Sequence, residues 1–436
     1  MRHAFFILVC AMVLLATTLP YDLMLGPAGA NRWELYLALF YGTGVIAIVL
    51  MSAAMLLALR LPVLDRLLGG LDRCYRAHRW AALLGIGFGL AHYLIKLGSK
   101  PLLADGTLIK PDDYVSRTLD VVKFVKDPAE LAGEWGLYIA LVLIVLALLK
   151  RVPYGRFVQS HRLMPAVFIL MAFHTLVFIP IDYWRGLAGP VTAALALVGL
   201  FVAGLSLFRR IGQGRRAQGV ITEMRTIAGN VLELHARVSL QWSGHRSGQF
   251  ALVSFDSREG AHPFTIASAW KGDGQVMFAI KGLGDFTREL PNRLAVGDSI
   301  VIEGPYGSFD YADDCARQIW IAGGVGLTPF VARLQELATR GAPERPVDLF
   351  YSTQKADAEV LERLSAAAGP AGVKLHVIEA KDGLLTVDRV CEQVPDFKTA
   401  SVWFCGPGGF GDALQKGLSQ KGLAHGHFHR EMFEFR

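Results

Sequence analysis

CYRAHRWAALLGIGFGLAHYLIK, residues 74–96, is an apolar run with His78 near its start and His92 near its end. At about 1.5 Å of rise per residue, a helix separates two residues fourteen apart by about 21 Å, against a hydrocarbon layer about 30 Å thick. The two imidazoles are therefore expected near opposite faces of a membrane. Ionisable side chains at such depth are costly and mark function, and imidazole is the commonest side-chain metal ligand.

Working outward, the 436-residue chain is 53% hydrophobic, and its long apolar runs are concentrated in the first 208 residues. Length and apolarity predict six spans at about 4–20, 33–59, 77–97, 134–150, 162–180 and 187–208, with a polar loop of about 35 residues over 98–133. The first run also has the form of a signal peptide, but no small-x-small cleavage pattern follows it, so it is read as a span. With the N-terminus inside, thirteen Lys and Arg fall in inner loops and seven outside, which places the second half of the chain on the cytoplasmic side. The net charge of +6 is accounted for by these loops and does not argue for nucleic-acid binding. Cys10, Cys74, Cys315, Cys391 and Cys405 show no CxxC spacing and no disulfide framework.

The fifth span, HRLMPAVFILMAFHTLVFIP at 161–180, repeats the opening pattern with His161 and His174 thirteen residues apart. The third and fifth spans run in the same direction. His78 and His161 then share the inner depth, and His92 and His174 the outer depth. Two imidazole pairs at matched depths are what two stacked six-coordinate haems require, one axial nitrogen coming from each side. Helical phase is less regular: thirteen residues leave His174 about 140° from His161 in a straight helix, and Pro165 between them is expected to kink or rewind it. A histidine at a membrane edge also serves as an interfacial residue, the role expected for the unmatched His3. Trp80, Trp135 and Trp184 suit the aromatic belt.

After a basic linker at 209–219 come short strand patterns, VLELHARVSLQW and GQFALVSF, then HPFTIASAW, GLGDFTREL and VIEGPYGSF. From Gln318 the pattern becomes strand, glycine turn, helix in IWIAGGVGLTPFVARLQELA. VDLFYST follows as a second strand, and VWFCGPGGF closes a third on another glycine turn. Backbone amides at such a turn can meet a pyrophosphate, in a doubly wound nucleotide-binding layout. His425, His427 and His429 alternate as on a strand, a polar face or a metal site.

HPFT with Ser268, GDFT, EGPYG, GGVGLTP, CGPGG and a near-terminal aromatic resemble, in this order, the elements of the ferredoxin–NADP reductase fold. Joined to six spans with paired histidines, they resemble the ferric reductase and NADPH oxidase superfamily across almost the whole chain. The resemblance implies an all-α six-helix transmembrane haem domain at 1–210, an FAD-binding β-barrel at 217–312 and an α/β doubly wound NAD(P)H-binding domain at 316–436. It implies that His262, Pro263, Phe264, Thr265 and Ser268 hold the flavin ring and phosphates, with Gly284, Phe286 and Thr287 as the second phosphate element. Gly323, Gly324, Gly326, Thr328 and Pro329 correspond to the NAD(P)H pyrophosphate turn, and Cys405, Gly406 and Pro407 to the nicotinamide-side turn. In the terminal EMFEFR, Glu431 with Phe433 matches the acid-then-aromatic spacing of the ring that covers the flavin, and Phe435 is the alternative.

The function so implied is transmembrane electron transfer from cytoplasmic NAD(P)H through FAD and two b-type haems, on His78 with His161 and on His92 with His174, to ferric iron, a ferric chelate or O2 outside. Lys96 next to the outer pair is either a helix-end lysine or a cation for an anionic acceptor. Gln354 and Lys355 follow YST where an arginine for a 2′-phosphate is usual, leaving NADPH and NADH both open. The rival readings are a haem-only membrane subunit and a transport protein whose histidines relay protons.

Overall fold

The computed structural model describes residues 32–111, 124–149, 151–227, 230–256, 259–341 and 343–431. The expected first span, His3, Cys10, Phe433 and Phe435 lie outside them. The chain divides into two compact units, Met1–Ile211 and Gly212–Arg436.

In the first unit, five helical spans among the described residues are long and apolar enough to cross a membrane. They are α1 (Arg32–Leu57), α2 (Leu71–Ala104), α3 (Lys126–Leu148), the pair α4 (Tyr154–His161) and α5 (Met164–Phe178), and α6 (Ala188–Leu207). α1 packs along α2, α3 along α5, and α6 against both α1 and α5, so the spans form a ring. Fully buried Ala172 and Ala196 lie where α5 and α6 meet, the small residues that let membrane helices approach closely. Val142 and Phe201 remain exposed, as lipid-facing side chains do.

Two boundaries differ from the sequence reading. α2 runs on to Ala104 and α3 starts at Lys126 rather than 134, so the polar connection is shorter than the expected 98–133 loop. Beyond the apolar core the two helices are joined by polar contacts: Lys96 pairs with Glu130, and the hydroxyls of Tyr93 and Tyr138 lie together against the Glu134 carboxylate. The fifth span is interrupted, with α4 ending at His161 and α5 restarting at Met164, with Pro165 in its first turn. Proline has no N–H to donate to the carbonyl four residues back and is tolerated at a helix start, so the break falls just before it.

The second unit carries two sheets. Strands β1 (Arg216–Ile227), β2 (Val231–Val238), β3 (Phe250–Ser254), β4 (His262–Thr265), β5 (Gln275–Lys281) and β6 (Ser299–Tyr306) form an antiparallel sheet in the order β4-β3-β6-β1-β2-β5. A bridge between Ile266 and Phe278 links the two ends of that order. Alternating inward residues such as Ile221, Leu234, Phe278 and Ile302 fill its core. Helix α7 (Asp285–Arg293) follows β5.

The other sheet is wholly parallel, with β7 (Arg317–Gly323), β8 (Val347–Thr353), β9 (Val373–Glu379), β10 (Ala400–Cys405) and β11 (Phe428–Arg430) in the order β11-β10-β7-β8-β9. Its connections include α8 (Thr328–Arg340), α9 (Ala358–Ala368) and α10 (Gly408–Gln420). Trp320 and Leu349 face one apolar cluster and Ile319 and Phe350 the other, so both faces are covered, as parallel sheets require. Strand order reverses between β7 and β10, the crevice where such sheets bind ligands. Of the three C-terminal histidines, His425 and His427 belong to a short 3-10 turn rather than a strand, while His429 on β11 stacks on Trp403 at 4.1 Å.

Candidate functional site

α2 and the α4–α5 pair bring the four membrane histidines together in twos. The ring centroids of His78 and His161 are 6.1 Å apart and those of His92 and His174 6.3 Å. Neighbouring helices hold the rings through main-chain carbonyls. His78 Nδ1 donates to Ala54 O at 2.7 Å and His92 Nδ1 to Phe40 O at 2.7 Å, both on α1, and His174 Nδ1 donates to Ala129 O on α3 at 2.9 Å. His161 Nδ1 makes no hydrogen bond among the described residues, and its ring stacks on Phe157 at 5.3 Å.

An imidazole tied down through Nδ1 presents Nε2 as its unprotonated nitrogen, the form that ligates a metal. The centroid separations leave room for one metal atom at roughly 2 Å from a nitrogen of each ring. The donor set therefore fits a bis-imidazole metal at each depth. The break before Pro165 frees the azimuth of His161 from that of His174, which a straight helix would have set about 140° apart.

In the second unit, His262 on β4 stacks face to face on Phe286 of α7, with centroids 4.6 Å apart and planes inclined 10°. Burial lowers the His262 pKa to about 4. Phe264 lies beside it at 6.3 Å, and Pro263 and Thr265 complete the strand. Gly284 caps α7, and Thr287 Oγ1 accepts from the amides of Leu283 and Gly284 at 3.1 Å, shaping the turn. Ser268 is held in place: its hydroxyl accepts from Met277 N at 3.0 Å and its carbonyl from His245 Nε2 at 2.8 Å.

At the β7–β10 crevice two glycine turns meet. Gly324 has φ +56°, and a Cβ at Gly326 would sit 2.5 Å from the Cys405 carbonyl carbon. One at Gly323 would sit 2.8 Å from Pro407 and one at Gly406 3.0 Å from Gly323. The four positions thus need the absence of a side chain, and the backbone they expose leads into α8. Thr328 closes the turn by donating to Val325 O at 3.1 Å, while the Pro329 carbonyl accepts from Tyr311. Cys405 is buried, with its thiol pushed up by burial and then by the nearby Glu431 carboxylate. Glu431 in turn packs against Gly307 of EGPYG, where a Cβ would come within 2.7 Å of its Oε1. Cys405, Glu431 and the end of β6 therefore converge.

Residues 43–172 match the ferric reductase like transmembrane component family and residues 217–310 an FAD-binding domain family. This is the pairing of domains that the resemblance to the ferric reductase and NADPH oxidase superfamily implies. Respiratory burst oxidase homolog protein E of Arabidopsis thaliana is 28% identical over 221 residues, 44% of this chain and 22% of that protein. The reductase component of a propane 2-monooxygenase from Rhodococcus jostii is 29% identical over 196 residues, covering 41% of this chain and 52% of that protein. Among solved structures, a cytochrome P450 reductase from Amycolatopsis is similar with 22% identity and a TM-score of 0.45, over 50% of this chain and 70% of that one.

The chain thus joins helices long and apolar enough to cross a membrane to a region matching an FAD-binding domain family and to a parallel sheet of nucleotide-binding layout. What the sequence reading missed in it are the three carbonyl acceptors and the glycines beside them, Gly44 against His92 and Gly133 against His174. A glycine within an apolar run is the only trace they leave in the sequence.

Proposed function

We propose that the chain passes electrons from cytoplasmic NAD(P)H to ferric iron, a ferric chelate or O2 on the other side of the membrane, with FAD and two b-type haems as the carriers. In this reading residues 1–210 are the haem domain, 217–312 the flavin-binding barrel and 316–436 the NAD(P)H domain. The observation that carries it is the pairing of four histidines at two depths, three of them fixed in the ligating tautomer by helix carbonyls.

Bound FAD would accept hydride and release single electrons, and each haem iron would take and pass on one. The protein fixes position and environment. His78 with His161, and His92 with His174, would supply the axial nitrogens. His262, Phe264 and Phe286 would pack against the flavin, and the turns at Gly284 and Thr287 would face its phosphates. Gly323, Gly324 and Gly326 would expose main-chain amides to the dinucleotide pyrophosphate at the start of α8. Cys405, which remains a thiol at neutral pH, and Glu431 would line the nicotinamide side, with Phe433 or Phe435 covering the flavin. The excess of basic residues in the inner loops supports the cytoplasmic placement of the flavin half. Lys96, paired with Glu130, is occupied within the helix bundle.

A reduced-minus-oxidised spectrum of the purified chain tests the reading, the expected result being the α-band of low-spin b-haem at two haems per chain. His92→Ala and His174→Ala should each lose one haem and acceptor reduction yet keep NAD(P)H-driven flavin reduction. A chain without haem would return the histidines to a proton-relay role. NAD(P)H oxidation assayed in parallel with ferric citrate and with O2 plus superoxide detection separates the acceptors.

A further inference from the structure

The three anchored histidines share one seat. In an α-helix the carbonyl of residue i points toward the C-terminus, so a donor approaching it from the side passes over the position of residue i+4. His92 bonds Phe40 O, and residue i+4 is Gly44. His174 bonds Ala129 O, and residue i+4 is Gly133. His78 bonds Ala54 O, and residue i+4 is Ala58, whose own amide donates to that carbonyl at 3.2 Å.

The glycines are in ring contact. A Cβ at Gly133 would lie 2.6 Å from Cγ and 2.9 Å from Cε1 of His174, and one at Gly44 would lie 3.1 Å from Nδ1 of His92. The first is closer than real Cβ atoms approach, so the ring must leave its carbonyl. The second asks for a shift of a few tenths of an ångström. Gly87, on α2 between His78 and His92, has open space at the same distance and serves as the control.

We propose that Gly133 and Gly44 are positioning residues for the His174–His92 pair: the missing side chains let each imidazole reach a helix carbonyl through Nδ1, fixing Nε2 toward a shared haem iron. The inference rests on the two-haem reading above. A carbonyl bond to Nδ1–H makes an imidazole more electron-donating and favours ferric iron. Lengthening that bond therefore raises the potential of this haem and leaves the other unchanged.

The test uses the full-length, haem-loaded chain, comparing haem-to-protein ratio, low-spin electron paramagnetic resonance spectrum and potentiometric titration for wild type, Gly133→Ala, Gly44→Ala and Gly87→Ala. Gly133→Ala is expected to hold half the wild-type haem, missing the same low-spin signal that His92→Ala loses, with NAD(P)H-driven flavin reduction intact. Gly44→Ala is expected to keep both haems with the potential of that one raised, and Gly87→Ala to match wild type. Unchanged spectra and potentials in both glycine variants would overturn the proposal, as would equal loss of both haems in Gly133→Ala. Should Gly133→Ala fail to accumulate, the potential shift in Gly44→Ala decides. Absence of haem from the wild-type chain would instead remove the two-haem reading itself.

Discussion

His262 is where the flavin half acquires a pH dependence. Its ring is pressed between β4 and Phe286, and burial lowers its pKa to about 4, below the roughly 6.5 of an unfolded chain. At neutral pH the ring is therefore neutral, and in the proposed flavin site it would act through packing and an N–H rather than through charge. Glu259, 3.8 Å away, is itself held above the usual carboxylate range by burial. Because the folded pKa is the lower one, the contribution is complete above pH 6.5 and is lost as pH falls from there toward 4. We expect about 1–3 kcal/mol to disappear over that window. Comparing denaturant midpoints at pH 7 and 4.5 for wild type and His262→Phe checks this: the variant should show a smaller difference, and equal differences would count against it.

At the scale of elements, the interrupted fifth span decides whether four histidines can form two pairs. α5 begins with Pro165 in its first turn, after a break at Arg162 and Leu163. Pro165→Ala supplies the missing N–H and lets α4 and α5 join, turning His161 toward the azimuth of a straight helix. Haem content should fall, with the His78–His161 site lost first, because His161 has no carbonyl anchor among the described residues. Unchanged haem content and spectrum in this variant would mean that packing, not proline, sets the break. The paired depths, the proline and the glycine turns were legible from sequence because each is forced by chemistry: burial of an ionisable ring, a missing N–H, a Cβ that would clash. The continuation of α2 to Ala104 and the start of α3 at Lys126 were not, since hydropathy follows the lipid boundary while those turns are joined by Lys96–Glu130 and Tyr93–Glu134. Nor were the carbonyls that hold the histidines, because a backbone acceptor has no residue type.

At the scale of the second unit, the proposed hydride transfer would require the antiparallel and parallel sheets to keep one relation to each other, and contacts far apart in sequence join them. Arg363 on α9 makes a two-pronged pair with Glu233 on β2, at 3.1 and 3.0 Å, and Arg225 on β1 reaches Glu359 at 2.5 Å. Residues 130 apart carry no periodic signal, which is why sequence reading could not find this pair. Glu233 is buried, and a hydrogen bond from His235, then the Arg363 guanidinium, hold its pKa at about 2, against about 4.3 unfolded. The stabilisation is therefore complete above pH 4.3 and is lost as pH falls toward 2. Arg363 is half-exposed, and screening limits the pair to about 1 kcal/mol, or about 2–4 °C in melting temperature for a unit of this size. In the full detergent-purified chain, followed by flavin fluorescence, Glu233→Gln and Arg363→Gln should each lower the melting temperature by that amount at pH 7. The double variant should lose little more than either alone, because both remove the same interaction. Arg363→Lys should recover only part of the loss, since an ammonium cannot form the two-pronged pair. Additive losses in the double variant would show that the two residues act separately and that other contacts keep the sheets together.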